Sequence, residues 1–268
     1  MTFQAFHNAE RTGWHERAQG YGDATGLATL QIVPALLDAL ALRSGDHLLD
    51  VACGPGYVAG AAAALNVNAT GIDFAPGMIE AARKRYPCVT FQEADLHDLP
   101  FAHNSFDAVA CNIGLFHVTD PDRALTEAAR VLKPSGRFAF SQWCAPAQSD
   151  LYAALFAVLK EHADMSLADP APDAYRLSDP AQVTEMMTKA GFTNITTREL
   201  PTILIATGDD FFDFFMRFGV RVPLIVAAQP QDTQAAIRDA MNAAMAHYKT
   251  PTGYEVPMPS LLYSGVVS

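Results

Sequence analysis

The segment Leu48-Leu49-Asp50-Val51-Ala52-Cys53-Gly54-Pro55-Gly56 sets a glycine-rich turn between an apolar run and a stretch of helical pattern. Gly54 and Gly56, with Ala52 at the start of the turn, let a ligand approach the backbone closely. Together with Ala59 the spacing also fits a dinucleotide fingerprint, and Asp73 is placed to bind a ribose diol. Asp50 separates the two chemistries. A carboxylate ahead of the glycines opposes the pyrophosphate that a dinucleotide sets at this helix start, and it suits an ammonium group instead.

Three further segments extend the site in chain order. Asp73 and Phe74 can take ribose hydroxyls with an apolar side chain against a purine, and Met78 follows one helical turn later. In Ala94-Asp95-Leu96, Asp95 can accept from an adenine amino group while Leu96 packs on the ring. Asn112-Ile113-Gly114 then closes the next strand. An ammonium, a sulfonium, a ribose diol and an adenine are the four features of S-adenosylmethionine, so that cofactor is expected, with S-adenosylhomocysteine as product.

Methyl transfer from a sulfonium is an in-line displacement, so the protein mainly aligns donor and acceptor. A base matters where the acceptor must lose a proton. His117, in Gly114-Leu115-Phe116-His117-Val118, is the candidate for that catalytic role and equally for a cofactor contact. Trp14, Phe116 and Trp143 offer aromatic walls for an acceptor, with His15 beside Trp14 and Tyr175 ahead of a helix start.

These residues must be carried to one edge of the molecule. Residues 24–42 place Leu27, Leu30, Val33, Leu36, Leu37 and Leu40 at helical spacing, which predicts a helix kinked at Pro34. From His47 short apolar runs alternate with helical stretches, the pattern of repeated βαβ units around a largely parallel sheet. Strands are expected at 47–52, 69–72, 89–93, 106–111 and 137–142, with helices at 57–65, 77–85 and 121–132. Lys133-Pro134-Ser135-Gly136 ends the last of these helices, with the left-handed turn assigned to Gly136. Later helices are expected at 150–162, 179–190, 209–218 and 232–247, and extended segments at 192–205 and 254–267. The helices between those two extended segments are expected to form a lid, and the phenylalanine-rich 211–218 stretch either packs on the sheet or roofs the site. Ligands of open α/β sheets bind outside the carboxyl ends of the strands, where all four segments converge.

Residues 48–56, 71–82, 95–101, 106–118 and 128–140 resemble, in order and spacing, the successive motifs of class I methyltransferases, in particular the group that includes the ubiquinone and menaquinone C-methyltransferases. The resemblance spans roughly residues 10 to 145. It implies a doubly wound, seven-stranded, mostly parallel Rossmann-like sheet with its last strand antiparallel and helical lid insertions. It also implies that Tyr21, at the end of the aromatic lead-in from Trp14, reaches the methionine end of the cofactor. One methyltransferase domain over 1–268 is expected: a helical cover at 1–45, a cofactor core at 46–145, and the remaining strands with their lid at 146–268.

The rest of the composition narrows the acceptor. A formal net charge of −11 repels a phosphate backbone, so a small molecule is favoured over nucleic acid. The basic cluster Arg83-Lys84-Arg85 sits where a helix ends, and the helix dipole favours positive charge there. The four cysteines form no C-x-x-C pair and no metal site is expected. No apolar run is long enough to cross a bilayer, which predicts a cytoplasmic protein without membrane partners; the chain specifies no oligomeric state. Besides a planar aromatic or heteroaromatic acceptor methylated at N, O or C, two rivals share this pocket: a binding protein without methyl transfer and a non-methylating enzyme using the same cofactor. Turnover to S-adenosylhomocysteine separates them.

Overall fold

A computed structural model describes residues 3–268 of the chain. Helices α1 (Gln4–Arg17), α2 (Thr25–Thr29) and α3 (Val33–Leu40) lead into β1 (His47–Val51), α4 (Tyr57–Ala63), β2 (Asn68–Asp73), α5 (Pro76–Arg85) and β3 (Thr90–Glu93). The core continues with β4 (Phe106–Asn112), α6 (Pro121–Val131), β5 (Leu132–Trp143), α7 (Asp150–His162), α8 (Pro180–Lys189) and β6 (Phe192–Leu200). Then come β7 (Ile203–Thr207), α9 (Phe211–Phe218), α10 (Arg221–Ala227), α11 (Gln231–Met245), β8 (Lys249–Thr250), β9 (Gly253–Pro257) and β10 (Ser260–Val267).

Seven strands form one sheet in the order β3-β2-β1-β4-β5-β10-β6. The first five are parallel, and β10 enters antiparallel between β5 and β6. On one face Leu36, Leu40, Tyr57 and Val58 of α3 and α4 cover the strands. On the other, Leu125, Ala128, Val183 and Met187 of α6 and α8 pack with Phe138, Phe140, Phe192 and Tyr263. The rings of Phe140 and Tyr263 stack at 4.9 Å between centroids, and both are fully buried. Burying such a ring contributes about 1.5–3 kcal/mol, so this stack anchors the antiparallel strand.

Several expected boundaries move for identifiable reasons. Residues 24–42 are two helices rather than one kinked helix, because Pro34 stands in the first turn of α3 and starts it. The 192–205 segment is two strands broken at Pro201 and Thr202, and 254–267 is two strands broken at Met258 and Pro259. Proline cannot donate to a ladder, so β6 stops before Pro201 and β10 starts after Pro259, and the neighbouring β7 and β9 pair in a second sheet, ordered β7-β9-β8. The left-handed residue is Ser135, with φ of 62°, not Gly136, and it lies inside the early part of β5, where the pairing with β4 shifts register. The expected helices near 209–218 and 232–247 are present as α9 and α11, but α10 lies between them unforeseen. With α7 and the second sheet these three helices share one core, which includes Leu155, Phe211, Phe214, Ile237 and Met241.

Candidate active site

The turn after β1 is strained where it meets the cavity. Ala52 and Gly54 both have φ of 52° and Gly56 has 83°, left-handed values that an L side chain adopts at a cost. Asp73, at the end of β2, holds the turn in place. Its Oδ2 accepts from the Gly54 N–H at 2.9 Å and its Oδ1 from the Ala75 N–H at 2.9 Å. A side chain added at Gly54 would meet only Tyr21, whose Cζ is 3.9 Å away, so open space lies above this backbone. Gly56 does something different: a Cβ there would come within 2.7 Å of Phe91, so its bareness serves the packing of the turn on β3 and α5.

Asp50 lies behind that turn. Its Oδ2 accepts from the Ala59 N–H at 3.0 Å, while its Oδ1 is buried without a hydrogen-bond partner. Burial lifts its carboxyl to about 8, and the nearby negative charge of Asp73 adds to the rise. Burial likewise lifts Asp73 to about 6, against the hydrogen bonds from Ala75 and Gly54. Two desolvated carboxyls, one with an unpartnered oxygen, form a site that gains from a cation, and an ammonium or sulfonium ligand fits it.

Two further strand ends complete the edge. Ile113 has φ of 53°, uncommon for a β-branched residue, and is held by its N–H donating to Ser141 Oγ at 2.9 Å. Ser141 in turn donates to Asn112 Oδ1 at 2.7 Å, and Asn112 Nδ2 donates to the Thr29 carbonyl at 3.0 Å. Beyond β3, Asp95 Oδ1 lies 2.7 Å from His97 Nδ1 and accepts the His97 N–H at 2.8 Å. These contacts with His97 hold the Asp95 carboxyl down at about 2. The Asp120 N–H donates to His97 Nε2, so Nδ1 carries the ring proton that faces Asp95.

One cavity of about 1090 Å³ joins these ends. Its wall includes Tyr21, Ala52, Gly54, Asp73, Phe74, Met78, Ala94, Asp95, Leu96, Asn112, Ile113 and His117 from the expected cofactor set, and Trp14, Phe116, Trp143 and Tyr175 from the expected acceptor set. Tyr21 is half-buried, with its hydroxyl 3.4 Å from Thr29 Oγ1 and its acidity weakened by desolvation. Three expected residues stand elsewhere. Asp50 and Gly56 lie behind the turn, and His15 is exposed with its carbonyl against Gly77. The helix explains the last case: Trp14 faces inward on α1, so the next residue, about 100° further round, faces out. Of the phenylalanine-rich helix α9, Phe215 and Phe218 reach the wall while Phe211 and Phe214 stay in the core.

The cavity also holds residues not anticipated from the sequence, among them Phe6, Glu10, Tyr152, Gln142 and Arg221. Glu10 is buried. Its Oε2 accepts from Trp14 Nε1–H at 2.9 Å and stands 2.7 Å from His117 Nδ1. A signal for it existed, since Phe6, Glu10, Gly13 and Trp14 are spaced i, i+4, i+7, i+8 and are the buried face of α1. A carboxylate in that stripe hid the pattern.

Comparison with known proteins agrees with this geometry. A family described as a methyltransferase domain matches residues 49–140. A demethylmenaquinone methyltransferase of Paenarthrobacter aurescens is 32% identical over 182 residues, covering 64% of this chain and 72% of the relative. A 2-phytyl-1,4-naphtoquinone methyltransferase of Nostoc sp. is 33% identical over 178 residues, covering 58% of this chain and 75% of that one. Matches to three further demethylmenaquinone methyltransferases span less than half of their length. Among solved structures, the YcgJ protein of Bacillus subtilis superposes with a TM-score of 0.60 at 19% identity over 88% of this chain and 97% of that one, which shows the shared fold. The acidic turn, the seven-stranded sheet and these relatives together make the chain a member of the class I methyltransferases, enzymes that use S-adenosylmethionine as methyl donor.

Proposed function

We propose that the chain methylates an N, O or C atom of a small, planar aromatic or heteroaromatic molecule. The observation that carries this reading is the continuity of one cavity from Asp73 and Asp95 to a wall of Trp143, Tyr152, Tyr175, Phe215 and Phe218, with His117 also on its surface. Flat rings bury large area against such side chains at little entropic cost. The names of two relatives, which specify a menaquinone precursor and a naphthoquinone, support a planar acceptor. The net charge of −11 weighs against a polyanionic one.

In this reading Asp73 takes the ribose hydroxyls with its remaining lone pairs, Phe74, Met78 and Leu96 enclose the adenine, and Asp95 accepts from its amino group. Gly54 and Tyr21 flank the methionine end, and Asp50 adds its charge from behind the turn. When bound, the cofactor supplies a methyl carbon already activated by the sulfonium. The protein's part is to align the acceptor against the Trp14, Phe116 and Trp143 walls, exclude water, and take a proton at His117 where the acceptor must lose one. Residues 1–45 act as the cover, 46–145 as the cofactor core, and 146–268 as the outer strands with the helical layer over the acceptor.

Release of S-adenosylhomocysteine from a panel of acceptors tests the class. Planar phenols, quinols and heteroaromatic amines are expected to turn over. A clear preference for aliphatic or macromolecular acceptors over every ring compound defeats the proposal.

A further inference from the structure

We propose that Glu10 is a positioning residue that sets the protonation pattern of His117, so that the base is complete only with the N-terminal helix docked. The inference rests on the reading of His117 as the proton acceptor. Glu10 is on α1 and His117 on the single turn Leu115–His117 after β4, and the fold brings them together at the cavity wall. The Glu10 side chain is 2% exposed, and a carboxylate so buried demands polar partners. It has two: the indole N–H of Trp14 at 2.9 Å and His117 Nδ1 at 2.7 Å.

At that separation an unprotonated Nδ1 would set its lone pair against a carboxylate oxygen. Nδ1 therefore carries the proton, and Nε2 is left as the basic nitrogen. The ring is also held mechanically. Trp14 meets it edge-on at 5.3 Å between centroids, and Phe116 lies at 3.8 Å on another side. When an O–H or N–H acceptor is methylated, its new bond to the methyl carbon forms as the carbon–sulfur bond breaks, with that electron pair going to sulfur. The acceptor's proton passes to Nε2, the imidazolium rests against the Glu10 carboxylate, and the proton is later lost to water.

Glu10 reaches this position only because α1 is tied down. Arg11 donates to the Phe74 carbonyl at 3.0 Å and pairs with Glu93 at 2.5 Å. On the opposite side Gly13 admits Val220, whose methyls occupy the space a Cβ would need. The carboxylate that orients the base thus comes from the element that covers the cavity.

The test uses the full chain, labelled with nitrogen-15, and reads the His117 ring nitrogens at a pH where the ring is neutral. Wild-type protein is expected to show protonated Nδ1 and bare Nε2. Glu10→Gln, which can donate as well as accept, is expected to mix the tautomers and to lower kcat by roughly tenfold or more. Affinity for S-adenosylhomocysteine and the acceptor KM should change less than threefold, and Glu10→Asp should recover part of the loss. An Nε2–H tautomer in the wild-type chain overturns the proposal without any variant having to fold. So does a Glu10→Gln protein with an unaltered tautomer and full turnover. If Glu10→Gln shifts the tautomer while His117→Ala keeps full turnover, the control of the ring stands and the assignment of His117 as base falls.

Discussion

Asp50, next to last in β1, and Asp73, last in the adjacent parallel β2, are both buried, with the charge of Asp73 making the Asp50 carboxyl harder to ionise. This pair gives the ligand-free protein a measurable pH response. Unfolded Asp50 ionises near its ordinary 3.8, whereas the folded group holds its proton to about 8. Between those values the folded state binds more protons than the unfolded one, so stability falls as pH rises and levels off above 8. Each such proton contributes a slope of at most about 1.4 kcal/mol per pH unit. Asp73 adds to the slope only up to about 6. Thermal melts from pH 5 to 8 should show a declining Tm that Asp50→Asn flattens. Saturating S-adenosylhomocysteine should reduce the slope and release protons at pH 7, read by calorimetry in buffers of different ionisation enthalpy. Identical slopes in the wild type and Asp50→Asn would remove Asp50 as the cause.

Asp73→Ala should weaken S-adenosylhomocysteine binding by about 1–3 kcal/mol, because the carboxylate braces Gly54 and Ala75 and, in the proposed arrangement, meets the ribose. Titration calorimetry on the folded variant measures this. Wild-type protein should bind S-adenosylhomocysteine more tightly than NAD in the same experiment. Unchanged affinity in the variant takes Asp73 off the ribose.

His117→Ala should reduce turnover roughly a hundredfold or more with an acceptor that carries an O–H or N–H, while cofactor affinity stays close to wild type. Parallel measurements of kcat and S-adenosylhomocysteine binding distinguish the roles. A loss of turnover that only follows lost cofactor binding assigns His117 to the cofactor.

Gly56→Ala should destabilise the fold by about 1–3 kcal/mol, because the new methyl meets Phe91 and the left-handed backbone resists a side chain. The folded fraction should still bind cofactor, since position 56 is off the cavity wall. A normal Tm with abolished binding would reverse that assignment and place Gly56 against the ligand.

The strand-end rim of the cavity was legible because its residues come at or near strand ends in chain order. Asp50 is one residue short of the end of β1, Asp73 and Asn112 are the last residues of β2 and β4, and Asp95 follows β3 by two residues, so the parallel sheet delivers these positions to one edge. The aromatic wall of the cavity was legible only as composition. Phe215 and Phe218 reach the cavity while Phe211 and Phe214 do not, a division set by where α9 docks rather than by the phenylalanines themselves. His15 and Glu10 show the same limit on α1. Local sequence offered His15 as the polar neighbour of Trp14, whereas helix phase turns it outward and turns Glu10 in. The prolines at 201 and 259 were visible, yet their joint effect required knowing that the segments on both sides pair with one another.

The placement of β10 has a consequence for how the molecule is made. Residues 260–267 are the strand that joins β5 to β6, so the ladder on that side stays open until synthesis has passed residue 267. A nascent chain can assemble β1 through β5 early, but β6 then waits at the ribosome without its neighbour, an edge that can pair with other chains. Cutting the chain before Ser260 removes a strand with ladders on both sides and the Tyr263 ring from beside Phe140. Truncations there should yield aggregation rather than a smaller working enzyme, whereas changes at the far edge, beyond β3, leave this seam intact.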